Sequence, residues 1–181
     1  MEGLVRVGSG GLIEDDAIRA MLFARLDDAR RLAIHILRDV TLAEDAVQEA
    51  ACLAWARRGG LRDRASVDGW FTRILVNVCR DELRRQARRP RLVALDPELD
   101  DPPSRGGGVG APESDLGAAI RRLNPDEQVL VALRFGQERT VPEIAVLLGV
   151  PEGTVKSRLH ACLRHLRAAL DAERRAGENL R

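Results

Sequence analysis

The chain has 181 residues, of which 45% are hydrophobic and only 3% aromatic, and its formal net charge is +1. This length fits one domain or two small ones, and no stretch approaches the ~18 apolar residues of a membrane span. The opening "MEGLVRVGSGG" has no apolar run of signal-peptide length, and the three cysteines lie far apart without a CxxC pair. We therefore expect a cytoplasmic protein with reduced thiols and no insertion into a membrane.

The near-zero net charge hides a strong segregation along the chain. Residues 57–91 carry a net +7 and residues 150–170 a net +3, whereas residues 1–56 and 92–116 carry −4 and −5. Two basic patches separated by acidic stretches suggest two contacts with a polyanion. Arginine-rich helices that face solvent would explain this charge pattern equally well.

The first predicted helix follows a glycine-rich N-terminus, residues 1–14, which we expect to be flexible. From Asp15 onwards, apolar residues recur at three- and four-residue steps as far as Ile36. This spacing indicates one amphipathic helix. It opens a helical block that we delimit as residues 15–90.

Two further helices complete this block. Thr41 and Glu44 have the spacing of a capping box, which predicts a helix over residues 42–58. After the loop "RRGGLRDRAS", Ser66 can cap a third helix with one apolar face, and that helix should stop by Pro90.

Residues 91–114 interrupt the helical pattern with prolines, glycines and acidic side chains. Such a composition is typical of a flexible linker, which as a random coil would span ~25 Å. Two domains on such a tether can act at separate places.

A second helical block is predicted over residues 115–172, followed by a short tail, 173–181. Within this block Asn124 and Glu127 form a capping box around Pro125, which should stand at the first helical position. No segment of the chain alternates with period two over any length. We therefore predict an all-α fold of two small helical domains joined by a flexible linker.

The second domain carries the pattern of a helix-turn-helix. Thr140 and Glu143 start a short helix, Ala145 is small where two helices would cross, Gly149 allows the turn, and Pro151 opens the last helix. An ordinary αα-hairpin is the alternative, but the clustered polar side chains at the start of the last helix favour DNA binding. These side chains are Thr154, Lys156, Ser157, Arg158 and His160.

The two blocks together resemble a known family. "LNPDEQVLVALRFGQERTVPEIAVLLGVPEGTVKSRLHACLRHLR" resembles region 4 of the extracytoplasmic-function sigma factors of bacterial RNA polymerase. Upstream, "AEDAVQEACLAWAR" is similar to the clamp-binding helix of region 2, and "WFTRILVNVCRDELRR" to its promoter-melting helix. The resemblance covers about residues 15–90 and 115–170 and implies a transcription initiation factor.

The resemblance assigns an acidic stripe to RNA polymerase. Asp45, Gln48 and Glu49 fall close together on the second predicted helix. Charge alone fits a solvated acidic face nearly as well as a docking surface. The family implies that these residues bind the β′ clamp of the polymerase core.

The third predicted helix is expected to meet the −10 promoter element. Arginines can follow a nucleic-acid backbone, and an aromatic ring can stack on an unpaired base. Of the adjacent aromatics Trp70 and Phe71, at least one is expected to pack in the core. The family implies that Asn77 and the loop Gly59–Asp68 meet the opened non-template strand. The predicted −10 residues are Trp70, Arg73, Asn77, Arg80 and Arg84.

The last helix is expected to read the −35 element. Arg158 or His160 is the predicted base contact, and Lys156 a phosphate contact. Many relatives have arginines where this chain has Ala161 and Leu163, so the family's full contact set does not carry over. The family further implies contact with the polymerase β flap and control by an anti-sigma factor.

Other classes of function fit the sequence less well. No paired carboxylates, Ser-His-Asp set or phosphate-binding loop indicates an enzyme, and we expect neither cofactor nor metal. His160, Cys162 and His165 are spaced so that one metal could not easily bind all three. A response-regulator type of DNA-binding protein would lack the upstream block. A helical interaction protein with no nucleic-acid role is the remaining alternative.

Overall fold

The computed structural model of the chain describes residues 15–60, 67–88 and 115–178, and within these ranges it contains helices and turns but no β-strand. The N-terminal domain comprises α1 (Asp15–Phe23), α2 (Leu26–Leu37), α3 (Val40–Ala56), a 3-10 turn (Arg58–Gly60) and α4 (Val67–Arg88). The C-terminal domain comprises α5 (Asp115–Arg121), α6 (Pro125–Val131), a π-helical turn (Ala132–Gly136), α7 (Val141–Leu148) and α8 (Glu152–Glu178).

The predicted all-α, two-domain organisation is confirmed. The predicted flexible N-terminus, the Ser66 cap and the linker lie outside the described residues.

The prediction of one continuous first helix was wrong, because the chain breaks into α1 and α2. At the break, the amide of Arg25 bonds to the carbonyl of Leu22 in a tighter, three-residue turn. The guanidinium of Arg25 then lies 3.0 Å from the carboxylate of Asp68 on α4. The apolar spacing continues across the break because both helices bury the same side against the core.

The predicted start of α3 was also wrong. Asp39, not Thr41, is the cap: its backbone is extended, and its carboxylate accepts a hydrogen bond of 3.0 Å from the amide of Leu42. Glu44 therefore closes no capping box and instead pairs with Arg30 at 2.9 Å. Asp is at least as good a cap as Thr, so the helix starts at the earlier residue.

The remaining caps behave as predicted. Asn124 with Glu127 and Thr140 with Glu143 both form complete capping boxes. The hydrogen bonds from Thr140 lower the pKa of the Glu143 carboxyl. Gly149 ends α7 with φ of 67°, a left-handed conformation that favours glycine.

Two helices of the C-terminal domain end in ways that the sequence patterns did not indicate. The helix that starts at Pro125 changes at Ala132 into a π-helical turn, and this turn leaves Phe135 55% exposed. The last helix also continues through the predicted tail as far as Glu178. His165 contacts Glu127 at 2.9 Å and so fixes α8 to α6.

The two domains pack against each other. Helices α2 and α4 of the N-terminal domain contact α6, the π-helical turn and α7 of the C-terminal domain, and the buried residues of both halves form one connected cluster. The side-chain amide of Gln137 also donates a hydrogen bond to the backbone carbonyl of Asp28 across this contact, at 3.3 Å. The domains are therefore not held apart in this structure.

The three cysteines should differ sharply in reactivity. Burial raises the pKa of the Cys79 thiol to about 12 and that of Cys162 to about 11, whereas Cys52 is exposed on α3. Because the thiolate is the reactive species, we expect a disulfide reagent to label Cys52 rapidly in the native protein and the other two only after denaturation. Peptide mapping of the labelled protein checks this, and fast native labelling of Cys79 or Cys162 would contradict it.

Candidate functional site

The structure brings the three predicted polymerase-binding residues onto one exposed face of α3. Asp45, Gln48 and Glu49 are all exposed, and none has a hydrogen bond or ion pair with another described side chain. Their neighbour Glu44 differs, because its pairing with Arg30 neutralises its charge. The unpaired negative charge of this face therefore belongs to Asp45 and Glu49.

A groove of about 430 Å³ adjoins this face, between α3 and α4. Asp45 and Glu49 line it from one side, and Val78, Glu82 and Arg85 line it from the other. Glu82 is almost buried and pairs with Arg85 at 2.8 Å. Sequence reasoning missed Glu82 and did not place Arg85 beside α3, because the capping and helix patterns do not reveal which α4 residues border α3.

The two aromatic residues of α4 separate as expected. Phe71 is 2% exposed and belongs to the core, whereas Trp70 is half-buried at its edge. Asn77 is exposed, and its side-chain oxygen accepts a long contact of 3.4 Å from Arg80.

Arg73 is held by the other domain. Its Nε donates to the carbonyl of Leu147 at 2.9 Å, and its Nη2 donates to the carbonyl of Val146 at 2.6 Å. These carbonyls lie at the C-terminal end of α7, where backbone acceptors have no partner within the helix and carry partial negative charge. Arg73 therefore caps the first helix of the helix-turn-helix.

Arg80 and Arg84 converge on one carboxylate of the C-terminal domain. Asp126, in the first turn of α6, lies 2.7 Å from Nε of Arg80 and 3.7 Å from Nη2 of Arg84. The Nε–H of Arg80 does not point at the carboxylate closely enough for a hydrogen bond, so the contact is mainly electrostatic. Sequence reasoning missed Asp126 because its partners are more than 40 residues away along the chain.

A second cluster precedes the loop predicted to meet the −10 strand. Arg58 stacks on the ring of Trp55 at 4.3 Å and bonds to both carboxylate oxygens of Asp15, at 2.8 and 3.2 Å. Arg19 approaches the same ring at 5.2 Å. The hydrogen bond from Arg58 lowers the pKa of the Asp15 carboxyl. The three-residue spacing of Trp55 and Arg58 could have suggested the contact between these two side chains. No sequence pattern indicated that Asp15 and Arg19 of α1 would join them. Residues 61–66 of the loop lie outside the described residues.

The predicted −35 residues surround the exposed start of α8. Val155 and Cys162 are fully buried and define the inward side of this helix. Thr154 is half-buried, and the other four predicted residues are exposed. Lys156 lies 3.8 Å from Glu152, and the hydroxyl of Ser157 donates to the carbonyl of Thr154 at 3.0 Å.

The helical period separates these residues into an outward stripe and two flanks. Ser157 lies almost opposite the buried side, and His160 is about 60° from it around the axis. Arg158 is about 100° from Ser157 and so lies on a flank. Arg164, which is exposed and about 20° from Ser157, belongs to the outward stripe. Sequence reasoning missed Arg164 because it considered only the first turns of the helix.

No helix in the described ranges combines the length and the apolar character needed to cross a bilayer. Groups of three or more His, Cys, Asp or Glu side chains that could hold a metal ion are also absent from that part of the chain.

Comparisons with known proteins identify both halves of the chain. The Sigma-70 region 2 model matches residues 22–89, and the Sigma-70, region 4 model matches residues 119–168. The order of the two regions is the order expected from the quoted motifs, and both matches fall within the helical blocks predicted from the sequence.

Relatives and a solved structure extend this match over most of the chain. The sigma factor SigV of Bacillus subtilis is 30% identical over 146 residues, which is 81% of this chain and 86% of that protein. The ECF sigma factor SigL of Mycobacterium tuberculosis is 30% identical over 171 residues, which is 92% of this chain and 96% of that protein. The sigma factor RpoE of Bartonella quintana, solved in complex with the anti-sigma factor NepR, has the same fold, with a TM-score of 0.60, 22% identity, and coverage of 84% of this chain and 96% of that one. With both regions matched in order and these relatives covered almost completely, the chain belongs to the extracytoplasmic-function sigma factors of bacterial RNA polymerase.

Proposed function

We propose that this sigma factor binds core RNA polymerase through the acidic face of α3, meets the −10 element through α4, and reads the −35 element through α8. The observation that carries the proposal is the unpaired acidic face formed by Asp45, Gln48 and Glu49 in a region 2 that is joined to a helix-turn-helix. Charge alone would fit a solvated surface nearly as well, and the match of this domain to Sigma-70 region 2 favours polymerase as its partner.

The acidic face suits a basic partner surface. Two carboxylates without intramolecular partners attract basic side chains, and opposite charges guide association as well as fix its orientation. The groove beside the face gives a partner helix an apolar wall at Val78. In this family the expected partner is the β′ clamp.

The −10 contact is proposed for α4 because of the types of side chain that this helix carries. Asn77 has an amide that can bond to a base edge once the base has left the stack. Arg73, Arg80 and Arg84 supply cations for the strand's phosphates, and Trp70 offers a partly exposed ring for stacking.

The −35 contact is proposed for the N-terminal half of α8, whose outward stripe fits a major groove. We further propose that the C-terminal domain contacts the β flap and that an anti-sigma factor controls the protein, as one binds RpoE of Bartonella quintana. The proposed role involves no covalent chemistry, no cofactor and no metal, and its proposed location is the cytoplasm.

In vitro transcription tests the proposed function. Core polymerase is incubated with the full chain and a pool of genomic DNA fragments, and the transcripts are sequenced. We expect transcripts with defined start sites only when the chain is present, sharing a −10 and a −35 motif upstream. Transcription at the background level of core polymerase, despite co-purification of the chain with it, would contradict the proposal.

A further inference from the structure

Both ends of the loop Gly59–Asp68 are tied to residues at the two ends of α1. At the start of the loop, Arg58 donates to both carboxylate oxygens of Asp15, the first residue of α1, at 2.8 and 3.2 Å. At its end, the carboxylate of Asp68 lies 3.0 Å from Nε of Arg25, which stands two residues after α1. One short helix therefore separates the two side chains that hold the ends of the loop.

Arg58 is the anchor at the start of the loop. Besides its bonds to Asp15, its guanidinium stacks on the ring of Trp55 at 4.3 Å, and its Nη1 donates to the Trp55 carbonyl at 3.0 Å. A planar guanidinium held by stacking and by several acceptors has little freedom to move. A Cβ atom added at the next residue, Gly59, would have nothing within 4 Å beyond its chain neighbours in the described part of the chain. The backbone thus leaves the packed part of the domain directly after Arg58.

At the other end, the backbone enters α4 at a buried residue. Val67 is 2% exposed, and Asp68 follows it with its carboxylate on Arg25. Arg25 stands in the tight turn between α1 and α2, where its amide donates to the carbonyl of Leu22. The end of α1 therefore sets the position of Arg25, as the start of α1 sets that of Asp15.

Helix α1 is a fixed spacer between the two anchors. Its nine residues extend about 13 Å along the helix axis. Ile18 and Leu22 are 4% and 6% exposed, and their burial holds α1 on the domain independently of the two ion pairs. The pairs are therefore not needed to keep α1 in place, and they can serve to fix the ends of the loop relative to it.

We propose that α1 positions the loop for reading the −10 element: the Asp15–Arg58 and Arg25–Asp68 pairs set the separation and direction of the loop's two ends, and this geometry decides which −10 sequence is accepted. Asp15 and Arg25 are positioning residues, because neither belongs to the loop or to the proposed −10 contacts on α4. The inference rests on the proposed −10 role of this loop and of α4. The match to Sigma-70 region 2 begins at residue 22, so Asp15 lies before the matched pattern.

A direct contact between Arg58 and DNA is the competing explanation for this cluster. Arg58 already donates to acceptors within the protein, so a phosphate would have to displace Asp15. The two explanations differ in what they predict for Asp15→Ala. If Arg58 binds phosphate, freeing it should favour DNA of every sequence alike, whereas the loss of an anchor should reduce discrimination between −10 sequences.

Transcription in competition measures this discrimination. Core polymerase carrying the full chain transcribes a promoter recovered from the genomic pool together with its single-base −10 and −35 variants, and relative transcript yields give the discrimination at each position. Asp15→Ala and Arg25→Ala each remove one anchor. Asp16→Ala and Arg31→Ala are the matched controls, because these residues are close in sequence to the anchors, carry the same charges and pair with neighbours on their own helices.

We expect each anchor variant to lose roughly 5-fold in discrimination at one or more −10 positions and to keep its discrimination at the −35 positions. Asp15→Glu keeps a carboxylate for Arg58 and should retain the native −10 discrimination, and both controls should retain it as well. Because largely exposed ion pairs stabilise a fold only weakly, circular dichroism should show native helix content in every variant.

Four results would overturn the inference. Native −10 discrimination in either anchor variant would show that its ion pair does not position the loop. Higher yields from every template with Asp15→Ala, at unchanged discrimination, would assign Arg58 to phosphate binding. An equal loss at −10 and −35 positions would show that the pairs only support the fold. If the native holoenzyme itself has no −10 preference, the proposed −10 role fails, and the positioning role fails with it.

Discussion

Reversing the charges of Asp45 and Glu49 together, by Asp45→Arg with Glu49→Arg, should weaken binding to core RNA polymerase by roughly 100-fold or more. Both carboxylates are exposed and unpaired within the described part of the chain, so neither stabilises the fold through an ion pair. Against a basic partner, the reversal replaces two attractions with two like-charge contacts. Like charges placed opposite each other in an interface cost several kcal/mol, which is enough for the expected loss.

Binding of the labelled chain to purified core polymerase, followed by fluorescence anisotropy, measures the effect. The matched control is Asp27→Arg with Asp171→Arg, which makes the same change in net charge at exposed carboxylates away from the groove. Far-ultraviolet circular dichroism should show unchanged helix content for both double variants. Normal affinity in the variant of the acidic face, or an equal loss in the control, would refute the assignment.

Capping patterns predicted the starts of helices in the C-terminal domain better than those in the N-terminal domain. The boxes at Asn124 and Thr140 each stand next to a proline in the first turn, and this combination leaves few alternative starts. The proposed cap at Thr41 had a better competitor two residues earlier, Asp39, and the pattern alone could not rank the two. Capping residues therefore predicted the start of a helix correctly only where a second signal, such as a nearby proline, agreed with them.

The break between α1 and α2 and the packing of the domains depend on contacts far apart in sequence. Arg25 pairs with Asp68, and Arg73 bonds to carbonyls more than 70 residues away. Neither partner is marked by any local pattern, and a backbone carbonyl carries no sequence signal at all. The sequence could place the five proposed −10 residues on one helix, but it could not show that acceptors of the C-terminal domain contact three of them.

The grouping of the residues in the candidate polymerase and −35 sites was easier to predict from the sequence, because each of these sites lies on one helix. The period of a helix places Asp45, Gln48 and Glu49 together once the helix is recognised. The same period sorts the residues of α8, but only after the buried side is known. Val155 and Cys162 supply that reference and separate His160 from Arg158.

Replacing His160 by alanine should cost roughly 1–3 kcal/mol of binding at one −35 base pair and little at the others. His160 lies near the outward stripe of α8, about 60° from Ser157, and no described side chain holds its ring. It can thus enter the major groove with both ring nitrogens free to bond to a base edge. Arg158 lies on the flank, where the groove wall presents phosphates.

Arg158→Ala should therefore weaken binding to all duplex sequences alike, and it should reduce the magnitude of the slope of log affinity against log salt by about one. Lys156→Ala should have the same two effects. Affinities of the full chain for a duplex selected from a random pool, and for its single-base variants, separate the two behaviours. Arg175→Ala is the control for loss of positive charge, because Arg175 is exposed near the far end of α8. The effect of Arg175→Ala on affinity should be small.

If the Arg158 variant changes its sequence preference and the His160 variant does not, Arg158 is the base contact and His160 is not. If neither variant changes its sequence preference, this part of α8 does not read bases.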